Sequence, residues 1–82
     1  MREYENRTEA KLMRVVCNRC GRSLRVEDGY LKEGCFHGQA AFGYFSRKDG
    51  TTQQFDLCED CYDKVTAEFV VPVEENSETE LL

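Results

Sequence analysis

The sequence predicts a small α+β domain stapled by a metal ion. Three observations carry that prediction: the chain is short, its cysteines form two matched pairs, and a helical apolar period appears only near its carboxyl end. With 82 residues and 9.5 kDa, 40% hydrophobic and 33% charged, the chain has room for one thin core. A domain of this size buries only about 60–65% of the surface its unfolded form exposes, so it commonly leans on a disulfide, a metal or a partner. The same length excludes a multi-domain enzyme, a doubly wound nucleotide-binding sheet and a closed (β/α) barrel. A membrane-spanning helix is excluded as well, because no apolar run approaches the roughly 20 residues it needs.

Residues 1–11 read as a flexible polar arm without a cap or a regular apolar period. The domain proper is expected over 12–71. Leu12, Met13, Val15 and Val16 make a β-type approach into Cys17-Asn18-Arg19-Cys20-Gly21, with a short return strand around Leu24 and Val26. A hairpin region follows from Gly29 to Leu57. There Phe42 and Tyr44 alternate with Gly43 and Phe45, Arg47-Lys48-Asp49-Gly50 supplies a turn, and Phe55 and Leu57 alternate on the return. A helix is predicted from near Leu57 to near Val70. Asp56 and Glu59 form a capping pair in this reading, acids crowd the positive end of the helix dipole, and Leu57, Cys61, Val65 and Phe69 step along one face. Pro72 ends the pattern, leaving 72–82 as an acidic tail tipped by Leu81-Leu82.

Charge is uneven along this plan. Lys11, Arg14, Arg19, Arg22 and Arg25 fall in a segment without an acid, whereas Asp56 to Leu82 carries nine acids against Lys64 alone. A net charge of −5 argues against a protein that coats nucleic acid, while leaving the basic segment 11–25 as a local phosphate contact. The first eight residues have no apolar stretch of the secretory kind, so a cytoplasmic location with reduced thiols is expected. On that expectation the glycosylation-like Asn6-Arg7-Thr8 is a chance match.

The chemistry lies in Cys17-x-x-Cys20 and Cys58-x-x-Cys61, separated by 37 residues. A two-residue gap lets one tight turn bring both sulfurs to about 2.3 Å from one ion, while turn N–H groups disperse the thiolate charge. Four such ligands predict one structural zinc; iron suits the same sulfur set. Gly21 permits the left-handed turn that completes the first knuckle, whereas the second pair runs directly into helix. A zinc ribbon or rubredoxin would present two equivalent knuckles. Knuckle, hairpin, then a helix bearing the last ligands resembles a treble-clef zinc finger over about residues 12 to 70, on the strength of Cys17, Cys20, Gly21, Asp49-Gly50, Cys58 and Cys61. That resemblance implies the fold and a bound zinc but no particular function. The segments 43–50 and 55–62, with Thr79-Glu80-Leu81-Leu82, are also similar to small bacterial CxxC…CxxC proteins that carry no assigned activity.

Cys35 and His37 add a thiol and the chain's one imidazole. A closed tetrahedral site has no place for a fifth ligand, so Cys35 is expected to pack as a small hydrophobe and His37 to be a surface or hydrogen-bonded residue. The alternatives are a swap with one of the paired cysteines, or a second site between two chains. Most of the aromatic set Tyr30, Phe36, Phe42, Tyr44, Phe45 and Phe55 is expected to complete the core over the helix. Tyr44 and Phe45, beside Arg47 and Lys48, are the candidate partner-binding face. The basic run is expected to be a solvated face balancing the acidic helix, with Arg19, Arg22 and Arg25 as its candidate contact for a phosphate or an acidic peptide. No Ser/His/acid arrangement and no phosphate-cradling Gly loop is present, so the expectation is a non-enzyme without a small-molecule substrate. It would act as a protein-interaction module binding a protein or another copy of itself; the alternative is a nucleic-acid accessory factor.

Overall fold

A computed structural model describes residues 1–5 and 11–77, and shows a small α+β arrangement of short antiparallel strands with one helix near the carboxyl end. The strands are β1 (Arg2–Tyr4), β2 (Leu12–Val16), β3 (Ser23–Leu24), β4 (Val26–Glu27), β5 (Tyr30–Leu31), β6 (Cys35–Ala41) and β7 (Thr52–Cys58); the helix is α1 (Glu59–Thr66). They form a three-stranded sheet in the order β1-β2-β3 and two hairpins, β4-β5 and β6-β7.

The amino-terminal residues, expected to be an unpaired arm, instead supply β1. Arg2 pairs with Val15 and Glu3 with Arg14, and a bulge follows before Tyr4 meets Leu12. The reason is long-range: the α-ammonium of Met1 is held beside β7, which lays the following residues along β2.

The tight hairpin turn also lies elsewhere than expected. Asp28 and Gly29 both take positive φ, 53° and 81°, between the paired Glu27 and Tyr30. Two successive left-handed residues match the right-handed twist of the flanking strands. The Asp49-Gly50 region belongs to a longer loop between β6 and β7, in which Gly50 takes φ 85° and its N–H donates to the Phe42 carbonyl at 3.1 Å. Phe42 and Tyr44 therefore lie in the loop rather than on a strand; the strand that pairs with β7 ends at Ala41.

The helix is shorter than its apolar spacing predicts. Strand β7 keeps its register with β6 through Leu57 and Cys58, placing Leu57 opposite Phe36 and Cys58 opposite Cys35. Cys58 then holds the N-cap position with extended backbone, and Asp56 is committed elsewhere. At the far end the N–H groups of Glu68 and Phe69 donate three residues back, a tightening that closes a helix. Val70 and Val71 are exposed before Pro72. Leu81-Leu82 lies outside the described residues.

The core consists of Val15, Cys17, Leu24, Leu57, Cys58 and Cys61, with Leu12, Val26, Leu31, Cys35, Tyr62 and Val65 packed around it. Among the described residues three of the six buried apolar ones are cysteines, so the core is the meeting place of the two Cys pairs. No aromatic ring is fully buried there, contrary to the expectation that most rings complete the core. Phe36 and Phe55 lie half-exposed on one face of the β6-β7 hairpin, above Gly38, where an added Cβ would fall 2.8 Å from the Phe36 ring and 3.2 Å from the Phe55 ring. Residues 36, 38, 40 and 53, 55, 57 share that face because side chains alternate along strands.

Candidate metal centre

The first Cys pair sits in the turn between β2 and β3. The Cys17 N–H donates to the Arg22 carbonyl at 2.9 Å, and the Gly21 N–H donates to the Cys17 carbonyl at 2.8 Å. Gly21 takes φ 80°, the left-handed conformation that its place after Cys20 predicts. The second pair straddles the start of α1, Cys58 at the N-cap and Cys61 in the first turn, where the positive end of the helix dipole faces both sulfurs. Asn18 ties the two together. Its N–H donates to the Asp56 carbonyl at 2.8 Å and its Oδ1 accepts the Asp56 N–H at 2.9 Å, so the knuckle is clamped to the edge of β7 two residues before Cys58.

The four sulfurs that the spacing nominates converge: those of Cys17, Cys20, Cys58 and Cys61 all lie within 4.8 Å of one another, with Cys20 to Cys58 at 3.9 Å. Sulfurs at the corners of a tetrahedron about 2.3 Å from its centre stand roughly 3.8 Å apart, so the cluster has the dimensions of a four-coordinate site. Cys17, Cys58 and Cys61 are buried and Cys20 is exposed. The four cysteines are positioned to bind a metal ion.

Electrostatics favour thiolates and limit how many form unaided. Burial pushes the Cys17 thiol up, but the backbone N–H groups of Cys58, Cys20 and Arg19 overcome it and bring the value down to about 6. The Cys61 backbone N–H likewise lowers Cys58. Cys61 is pushed up to about 11: the Arg19 guanidinium draws it down, but burial and the three neighbouring sulfurs outweigh that donor. The sulfurs thus crowd one another's charge, and a divalent cation among them is the natural counterweight.

Arg19 Nη1 donates to Cys61 Sγ at 3.5 Å. Arg22 forms a bidentate pair with Glu33, at 2.8 and 3.4 Å, and its side chain also faces Cys58. Four thiolates around a divalent ion would carry a net charge of −2, which the Arg19 guanidinium offsets in part, Arg22 being shared with Glu33. Arg25 lies 3.7 Å from Glu27, and Arg14 lies 3.6 Å from Glu3. Arg14, Arg22 and Arg25 thus face acids that flank the basic segment, while Arg19 faces the sulfur cluster and also feels Glu68 just beyond α1.

Sequence reasoning missed the adjacent role of Asp56, which is only 1% exposed. Its carboxylate accepts from the Met1 α-ammonium at 2.8 Å, from Arg2 Nε at 2.8 Å and from His37 Nδ1 at 2.9 Å. Burial opposes its charge, yet these three donors hold the carboxyl well below the usual carboxylate range. The one available signal was an acid between Phe55 and Leu57, on the opposite face of a strand from two apolar side chains. His37 is therefore hydrogen-bonded. Cys35 is partly buried, 3.7 Å from Asp56 Oδ1 and 4.0 Å from Arg2, with its thiol pushed up by burial. Neither residue belongs to the four-sulfur cluster.

Of the other nominated residues, Tyr44 and Phe45 are 83% and 98% exposed and pack edge to face on each other at 5.1 Å, in the same loop as Arg47 and Lys48. Lys48 Nζ stands 4.9 Å from the Phe42 ring centre. No helix among the described residues is long and apolar enough to cross a membrane. Comparison with protein-family models, with curated proteins and with solved structures gives no match.

Proposed function

We propose that the four cysteines hold one structural zinc ion in a treble-clef arrangement, and that the protein is a non-catalytic module for binding another protein. The convergence of four sulfurs within 4.8 Å carries the metal reading. Four thiolates leave no open position for water or substrate, which suits a structural ion rather than a catalytic one. The order of elements supports the treble clef: a knuckle between β2 and β3, the β6-β7 hairpin, then α1 carrying Cys61 with Cys58 at its cap. In zinc-finger peptides such an ion contributes about 10–16 kcal/mol at neutral pH, comparable to or above the roughly 5–15 kcal/mol net stability of an ordinary domain.

Native mass spectrometry should find one zinc per chain, colourless where iron would be coloured. A strong chelator, or Cys58→Ser, should abolish the folded circular-dichroism spectrum; a spectrum indifferent to both would defeat the reading. The interaction role is supported by the exposed Tyr44-Phe45 pair beside Arg47 and Lys48, because rings this exposed contribute nothing to the core. Partner capture should be lost with Phe45→Ala and change little with salt.

A further inference from the structure

A second surface lies on the other side of the hairpin from the Asp56 cluster. The aromatic face of β6-β7 and the outer side of α1 enclose a groove of about 440 Å3 lined by Phe36, Phe55, Leu57, Tyr62, Val65 and Phe69. The rings line it in series, with Phe36 centred 6.0 Å from Phe55 and 5.3 Å from Tyr62. A smaller recess of about 280 Å3 continues it, sharing Phe36 and Tyr62 and ending at Glu59, whose carboxylate lies against Gly34.

The charge along its rim discriminates among occupants. Glu59 lines the recess itself, and Asp63 follows it one helical turn on, flanking Tyr62 and Thr66 without lining the groove, while Lys64 projects away from it. Among the described residues no cation pairs with Glu59, Asp60 or Asp63, in contrast to Glu33, which is held by Arg22. The groove is thus apolar at its base and carries uncompensated negative charge along one wall. The chain's own carboxyl-terminal segment brings Glu74, Glu75, Glu78 and Glu80 with its Leu81-Leu82, and a second copy brings the same acidic rim. Both would set like charges against each other.

We propose that this groove docks a segment of another protein that offers aliphatic anchors flanked by Lys or Arg. The proposal rests on the interaction-module reading above and adds a second contact to it, on the helix side of the hairpin. The anchors fill the aromatic trough and the flanking cations meet Glu59 and Asp63.

The test uses the full-length, zinc-loaded protein and three dye-labelled synthetic helical peptides, read by fluorescence anisotropy: one of Leu and Lys, one of Leu and Glu, and one of Ser and Lys, each in amphipathic order. The Leu/Lys peptide should bind at least about tenfold more tightly than either other, because anchors and charge are both needed. Phe55→Ser and Phe69→Ser change side chains that are 42% and 49% exposed, so both variants should retain zinc. Each should weaken Leu/Lys binding by about tenfold, Asp63→Lys should weaken it several-fold, and Tyr30→Ser, at an exposed ring outside the groove, should leave it unchanged.

Equal binding of the Ser/Lys or the Leu/Glu peptide overturns the proposal, as does indifference to Phe55→Ser. A gain in affinity on replacing Leu81 and Leu82 by Ser would make the chain's own arm the occupant. A dimer that Phe55→Ser dissolves would make it a second copy. Zinc-loaded protein that ignores the Leu/Lys peptide sinks this inference alone, whereas a chain that takes up no zinc sinks the underlying reading with it.

Discussion

Asp56 shows most sharply how one side chain organises its surroundings. Its carboxylate gathers three donors, and its backbone clasps Asn18, so the residue two places before a candidate ligand also fixes the turn that carries the opposite pair. Asp56→Ala should cost roughly 1–3 kcal/mol, because the largely buried Arg2 would lose its counter-charge and Met1 and His37 would lose an acceptor. Asp56→Asn, which retains an acceptor, should cost less. Urea unfolding at fixed free zinc measures both, since ligand concentration otherwise shifts the apparent stability. The four cysteines were legible in the sequence because two-residue spacing is itself a geometric statement about one ion. Asp56 was not, because its partners lie 19, 54 and 55 residues away and nothing local announces them.

Among the elements, the strands were legible in kind more than in place. The β6-β7 pairing follows from apolar residues on both arms, but the Asp-Gly signal occurs twice and only the first instance makes a two-residue turn. Gly29→Ala should therefore destabilise the protein by roughly 1–2 kcal/mol: the new Cβ would have to adopt a left-handed backbone and would meet the Lys11 side chain at 3.0 Å. Gly43→Ala, with ordinary backbone and nothing within 4 Å, should leave thermal stability nearly unchanged. The pair of melting temperatures checks the assignment of the turn. The helix was misjudged at both ends for a related reason. Leu57 satisfies a four-residue and a two-residue period equally, and the ladder to Phe36 decides in favour of strand. At the other end the two β-branched residues Val70 and Val71 precede Pro72, a poor continuation for any helix.

At the scale of the whole molecule, the thin core anticipated from chain length is realised with thiols making up half of its buried apolar residues. With an ion among those thiols such a core would depend on it, which is why chelation and loss of a ligand are expected to act on the entire fold. The aromatic surface was not legible. Composition alone suggests that large rings go inside, yet a core this small closes around Val15, Leu24 and Leu57, leaving the rings to pave the hairpin face and its loop.

The four sulfurs are not equally sheltered. Cys17, Cys58 and Cys61 are buried while Cys20 is exposed, so the cluster has one corner that a foreign molecule can approach from solvent. Damage and exchange should share that entrance. With less than one equivalent of hydrogen peroxide, peptide mapping should locate the earliest sulfur–oxygen adducts on Cys20 and find its three companions intact. An equal spread over all four would mean that the molecule breathes as a unit. With Cys20 attacked first, ageing of this protein begins at a single atom, and a reductant that restored it in time would rescue the whole.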